Sequence, residues 1–112
     1  MANREANRGA HYLVQILVPQ YDNEGEPFGP DVFSRVRQEL VERFGGLTAH
    51  VRAPARGLWQ AEDGTVARDD VVILEVMADG LERSWWADYR RTLEARFRQD
   101  EVVIRATPIE RL

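Results

Sequence analysis

The chain repeats itself. Arg43-Phe44-Gly45-Gly46-Leu47-Thr48-Ala49-His50-Val51-Arg52-Ala53 aligns without a gap on Arg96-Phe97-Arg98-Gln99-Asp100-Glu101-Val102-Val103-Ile104-Arg105-Ala106, a constant offset of 53 residues that carries Arg43 to Arg96 and Ala53 to Ala106. Upstream, the same offset sets Phe33, Val36 and Leu40 on Trp86, Tyr89 and Leu93. Two copies are too few for a solenoid, in which at least three repeats must stack to bury a continuous core. They imply one domain built from two alike units, each a strand, a helix and a strand.

The pattern between the repeats supports this. His11 to Val18 is an apolar run ended by Pro19, which reads as a buried strand. Pro19 to Pro30 carries three prolines and two glycines and reads as a long loop, on which Tyr21-Asp22 could form a lid or a solvated turn. From Asp31, a candidate cap, Phe33, Val36, Leu40 and Phe44 recur at helical spacing until Gly45-Gly46 ends the helix. Leu47 to Arg52 is a second strand, and Asp63-Gly64 is a hairpin turn signal between Gly57-Leu58-Trp59-Gln60 and Thr65-Val66-Ala67. Val71 to Met77 is a third strand. Asp79 with Glu82 resembles a capping box before a helix whose stripe is Trp86, Tyr89, Leu93 and Phe97, with Trp85 on its flank. Glu101 to Ala106 closes the pattern. The order β-α-β-β-α-β predicts an α+β, ferredoxin-like sandwich: a four-stranded antiparallel sheet, both helices on one face, and a small hairpin between strands 2 and 3. Residues 1–10 read as a disordered tail, 11–107 as a single domain and 108–112 as a C-terminal tail.

Alternation along the strands divides the sheet residues between two faces. Val14, Ile16, Ala49, Val51, Val72, Leu74, Val76, Val102 and Ile104 are assigned to the helix side. The opposite face receives Leu13, Gln15, Leu17, Thr48, His50, Arg52, Ile73, Glu75, Val103 and Arg105. Its aliphatics are too apolar for water, while Gln15, His50, Glu75 and Arg105 are too polar to bury unpaired. One polar residue per strand among aliphatics predicts a surface that meets something, and a homodimer through this open face, of the dimeric α/β barrel kind, is the expected partner arrangement.

Gly46-Leu47-Thr48, Gly57-Leu58-Trp59, Asp63-Gly64, Val71-Val72-Ile73-Leu74 and Phe97-Arg98-Gln99-Asp100 follow one another over roughly 33–104. In this order they resemble a family of short bacterial proteins catalogued as a domain of unknown function, whose members carry GLT, GxW and FxQ[DE] motifs. The resemblance implies a bacterial origin and no catalytic residue.

Several function classes are disfavoured. The net charge of −4 opposes non-specific nucleic-acid binding, and the open face lacks the central aromatics on which RNA-recognition sheets stack bases. All 15 basic residues are Arg, and there is no Cys, so disulfides and thiolate chemistry are out. No nucleotide-binding or nucleophile-elbow motif occurs. Asp69-Asp70 with His50 lacks a recognised ligand spacing, so neither a metal nor a cofactor is expected. The polar start and the lack of a long apolar run point to a cytoplasmic protein without membrane contact.

Two functions remain open. In one, the chain is a dimeric assembly or small-ligand-binding module whose contact surface includes Gln15, Arg52, Trp59, Glu75 and Arg105, with a small anionic ligand as a candidate. In the other it is a cofactor-independent enzyme, an isomerase or monooxygenase type, with His50 as acid/base and Arg52 or Arg105 anchoring the substrate. Trp59 could wall one end of a cavity or plug the hairpin against the sheet. The module is preferred.

Overall fold

A computed structural model describes residues 10–52 and 71–112. The elements run β1 (Ala10–Pro19), α1 (Pro30–Phe44), β2 (Thr48–Arg52), β3 (Val71–Ala78), α2 (Arg83–Arg96) and β4 (Val103–Glu110). They form one four-stranded sheet in the order β2-β3-β1-β4, antiparallel throughout. This is the expected ferredoxin-like α+β architecture. The expected hairpin, including Trp59, lies outside the described residues.

The core follows from the alternation. Val14, Ile16 and Val18 of β1 and Val72, Leu74 and Val76 of β3 are buried with Val36 and Leu40 of α1 and Leu93 of α2. The register places Ile16 opposite both Leu74 and Ile104, so one apolar row crosses the three strands beneath the helices. Trp86, Tyr89 and Phe97 are buried along the helix stripe, and Phe28 of the long loop packs its ring 5.1 Å from Phe97. Trp85 covers the flank, stacked on Tyr89 at 4.9 Å with the Arg43 guanidinium 4.1 Å over its ring.

Both helix starts depart from expectation. Gly29 is the N-cap of α1 and Pro30 occupies its first turn, so Asp31 lies inside the helix and makes no capping bond. Proline suits that position because its missing N–H would be unsatisfied there anyway. At α2 the cap is Glu82, again with no side-chain cap bond; its carboxylate accepts from Arg43 at 2.9 Å, and Asp79 pairs with His11. Ala49 sits on the helix side opposite Leu74 but is exposed, since β2 is an edge strand. β4 begins at Val103 and runs to Glu110, past the expected end, because β1 offers pairing partners as far as Ala10. The Pro19–Pro30 loop is an ordered turn. Asp22 Oδ1 accepts from the backbone N–H groups of Glu24 and Glu26 at 2.9 and 2.8 Å.

Candidate functional site

The face opposite the helices carries a hydrogen-bonded chain that spans all four strands. Arg105 Nε on β4 donates to Gln15 Oε1 on β1 at 2.7 Å. Gln15 Nε2 donates to Glu75 Oε1 on β3 at 2.6 Å. Glu75 Oε2 lies 3.3 Å from His50 Nε2 on β2. Gln15 can bridge the two ends only because its amide has a donor and an acceptor to present to different neighbours. The result is a row with a cation at one edge of the sheet and a carboxylate towards the other.

Sheet register explains the row. Gln15 stands directly between Glu75 and Arg105, and Glu75 stands opposite Thr48. His50 therefore shares the face of Glu75 and Arg105, as alternation predicts, but not their row. It sits one row away, opposite Ile73, and reaches Glu75 along the diagonal. Its side chain remains 52% exposed, whereas Glu75 is 20% exposed. Two apolar rows flank the polar one. Leu13 and Met77 lie on one side, and Leu17, Ile73 and Val103 on the other. Ile73 is buried, while Met77 and Val103 are 51% and 46% exposed, large values for such side chains.

Of the remaining predicted site residues, Arg52 ends β2 opposite Val71. Trp59 lies outside the described residues. Thus Gln15, Glu75, Arg105 and His50 are brought together.

Two broad grooves, each of about 740 Å³, lie beyond the two apolar rows. One is lined by His11, Glu75, Met77 and Asp79 among others, the second by Leu17, Tyr21, Glu101 and Val103 among others. His50 lines neither. In the first groove His11 is nearly buried, with Nδ1 2.8 Å from Oδ1 of the exposed Asp79. Sequence reasoning passed over this pair. The signal was the alternation of β1, which places His11 on the same face as Leu13 and Gln15. Among the described residues, no three His, Asp or Glu side chains gather closely enough to hold a metal ion. No helix among them is long and apolar enough to cross a membrane.

A second polar cluster ties the helices together. Arg96 of α2 donates to both carboxylate oxygens of Glu39 on α1, at 2.6 and 3.1 Å, and the Tyr89 hydroxyl donates to the same carboxylate at 3.1 Å. The Arg96 bonds hold the Glu39 carboxyl below its ordinary range, and Glu39 in turn raises Arg96. Burial, with the nearby carboxylate, pushes the Tyr89 phenol well above its ordinary range. Every member is engaged within the fold, which gives the cluster a structural role.

No family model and no curated protein matches this chain. Solved structures share its fold. The divalent cation tolerance protein CutA1 from Thermus thermophilus superposes with a TM-score of 0.54 at 18% identity, covering 88% of this chain and 84% of that one. A phage SAM lyase in complex with S-methyl-5'-thioadenosine superposes with a TM-score of 0.51 at 13% identity, covering 91% of each chain. At these identities the likeness establishes the ferredoxin-like fold alone.

Proposed function

We propose that the chain is a non-catalytic assembly module that forms a homodimer through its open sheet face. The observation that carries this reading is the hydrogen-bonded chain Arg105–Gln15–Glu75–His50, whose first three members form a polar row between two largely apolar ones. A solvated face would not present Met77 and Val103 half-exposed, and a buried core would not hold an arginine bonded to a neutral amide. Apolar rows supply association energy, and the polar row supplies register, since misaligned charges lose their water without finding a partner.

The face is small. Four strands spaced by ~4.8 Å, with five to ten residues at ~3.4 Å each, offer on the order of 500 Å² per copy. That is near the lower limit of specific interfaces, so the pair is expected to dissociate on dilution. Native mass spectrometry and sedimentation over a dilution series test the reading. A dimer at high concentration that Val103→Asp abolishes is the expected result. A wild-type monomer at millimolar concentration overturns it. A retained small anion in the mass spectrum would place a ligand between the copies, against Arg105.

A second reading rests on one observation, the half-exposed His50 imidazole oriented by the Glu75 carboxylate at 3.3 Å. A carboxylate-oriented imidazole is suited to general acid–base chemistry. The module remains the preferred reading because the polar and apolar rows draw on all four strands, whereas the histidine contributes one contact from an edge strand. Turnover that is lost in His50→Ala, in a protein that still folds and dimerises, would reverse that preference. The motif resemblance to short bacterial proteins of unknown function, and a cytoplasmic setting, fit either reading.

A further inference from the structure

We infer that the two copies pack face to face with their two-fold axis parallel to the strands, so that Arg105 of each copy pairs with Glu75 of the other. This rests on the proposed face-to-face dimer and adds its geometry. The polar row has a direction: its cation is on edge strand β4, and its carboxylate is on β3, beside edge strand β2. A two-fold axis along the strands exchanges the edges, laying β4 of one copy over β2 of the other and β1 over β3. The Arg105 guanidinium, already drawn towards Gln15, then faces the carboxylate of the second copy. An axis across the strands would instead lay β4 on β4 and β3 on β3, opposing Arg105 to Arg105 and Glu75 to Glu75.

Both arrangements set apolar rows against apolar rows, so charge decides between them. Packed sheets lie ~10 Å apart with strands within about 30° of one another, a gap that an arginine and a glutamate reaching from opposite sides can close. Within its own chain, among the described residues, Arg105 has no carboxylate partner; its bond is to the neutral Gln15 amide. Glu75 is hydrogen-bonded to Gln15 and His50, with no arginine among the described residues of its own chain against it. Each copy thus presents half of a salt bridge at two places, and the second copy supplies both missing halves. Self-complementarity of this kind is what an isologous interface requires.

Charge reversal tests the pairing. Arg105→Glu alone opposes two carboxylates at both contacts, and Glu75→Arg alone opposes two guanidinium groups. Each is expected to weaken self-association by about tenfold or more. Mixing the two variants creates Glu–Arg at one contact and leaves the native pair at the other, so a heterodimer is expected to form where neither variant dimerises alone. Where Glu75→Arg fails to fold, linking decides. The chain has no cysteine, so a mixture of Val103→Cys and His50→Cys can be treated with a short bismaleimide. Those positions share a row on opposite edges, so the mixture is expected to link across copies. Val103→Cys alone is expected not to link, its two sites being ~14 Å apart laterally at three strand spacings. Single variants that dimerise as tightly as the wild type, or a mixture of Val103→Cys and His50→Cys that fails to link, overturn the orientation while leaving the face-to-face dimer standing. A monomeric wild type overturns both.

Discussion

Gly45 and Arg98, equivalent positions of the internal repeat, adopt the same left-handed backbone conformation, at φ 80° and 52°. Each sits just beyond the last turn of its helix. Gly45 N–H bonds back to the Val41 carbonyl, and the N–H groups of Arg98 and Gln99 bond back to Ala95 and Glu94. A residue with a Cβ is strained in this conformation and glycine is not. The repeat has therefore preserved the helix stop while losing, at Arg98, the residue that suits it.

Arg98→Gly is accordingly expected to stabilise the fold. Relief of strain of ~1 kcal/mol or more is partly offset by the freedom glycine gains in the unfolded chain, leaving a net gain of about 0.5–1 kcal/mol. The reverse exchange, Gly45→Ala, is expected to cost about 1 kcal/mol even though nothing lies within 4 Å of the added Cβ. Paired chemical-denaturation curves measure both. A destabilised Arg98→Gly would show that the arginine side chain contributes more than its backbone costs.

The aromatic anchor of the long loop yields a graded pair. Phe97 has no exposed surface and meets the rings of Phe28 at 5.1 Å and Phe33 at 5.6 Å. Phe97→Ala leaves a cavity between loop, helices and sheet and is expected to cost ~3–5 kcal/mol. Phe28→Ala is expected to cost less, about 2 kcal/mol, since Phe28 is only partly buried and the loop can relax towards the gap. Equal losses in thermal unfolding would mean that the loop is as rigidly packed as the core.

The helix seam predicts an acid dependence. Glu39 titrates below its ordinary value of 4.5, chiefly because Arg96 donates to its ionised form. A carboxyl lowered in the folded state stabilises fully above its unfolded value and loses that contribution as the pH falls through its folded one. Glu39→Gln is therefore expected to lower stability by about 1 kcal/mol at neutral pH, a modest figure because water still reaches the carboxylate. The difference from wild type should vanish in acid below the folded value. Unfolding free energies measured from pH 7 down to pH 3 test this, and a gap that stays constant would assign the loss to packing.

How far these features were legible depends on their range along the chain. The two faces of the sheet were legible because alternation is local and the repeat links Val51 to Ile104 and Ala49 to Val102. The gathering of Gln15, Glu75 and Arg105 followed from the same alternation. The row on which His50 stands did not, because it depends on the register of β2 against β3, which pairs His50 with Ile73. Neither strand encodes that offset alone. Helix starts failed for a related reason. Asp79 has the composition of a cap, but His11, far away in sequence, holds its carboxylate. At α1, Pro30 pre-empted Asp31 through its fixed φ. The helix-seam cluster was invisible because Glu39, Tyr89 and Arg96 each fit an ordinary amphipathic helix.

The hydrogen-bonded chain across the sheet allows a last contrast, between its centre and its end. Gln15 is half-buried and links β4 to β3 through both ends of its amide. Gln15→Leu strands the Glu75 carboxylate and the Arg105 guanidinium together, so a loss of roughly 1–2 kcal/mol is expected despite the apolar area gained. His50 contributes one 3.3 Å contact from a half-exposed ring, so His50→Ala is expected to cost only ~0.5 kcal/mol, within the range of surface pairs. Unfolding of both variants at a dilution where the wild type is monomeric isolates this effect from dimerisation. A larger loss in His50→Ala than in Gln15→Leu would relocate the organising contact of the face to β2. It would also count in favour of a site built around the histidine, since a functional imidazole must be held more firmly than a surface one.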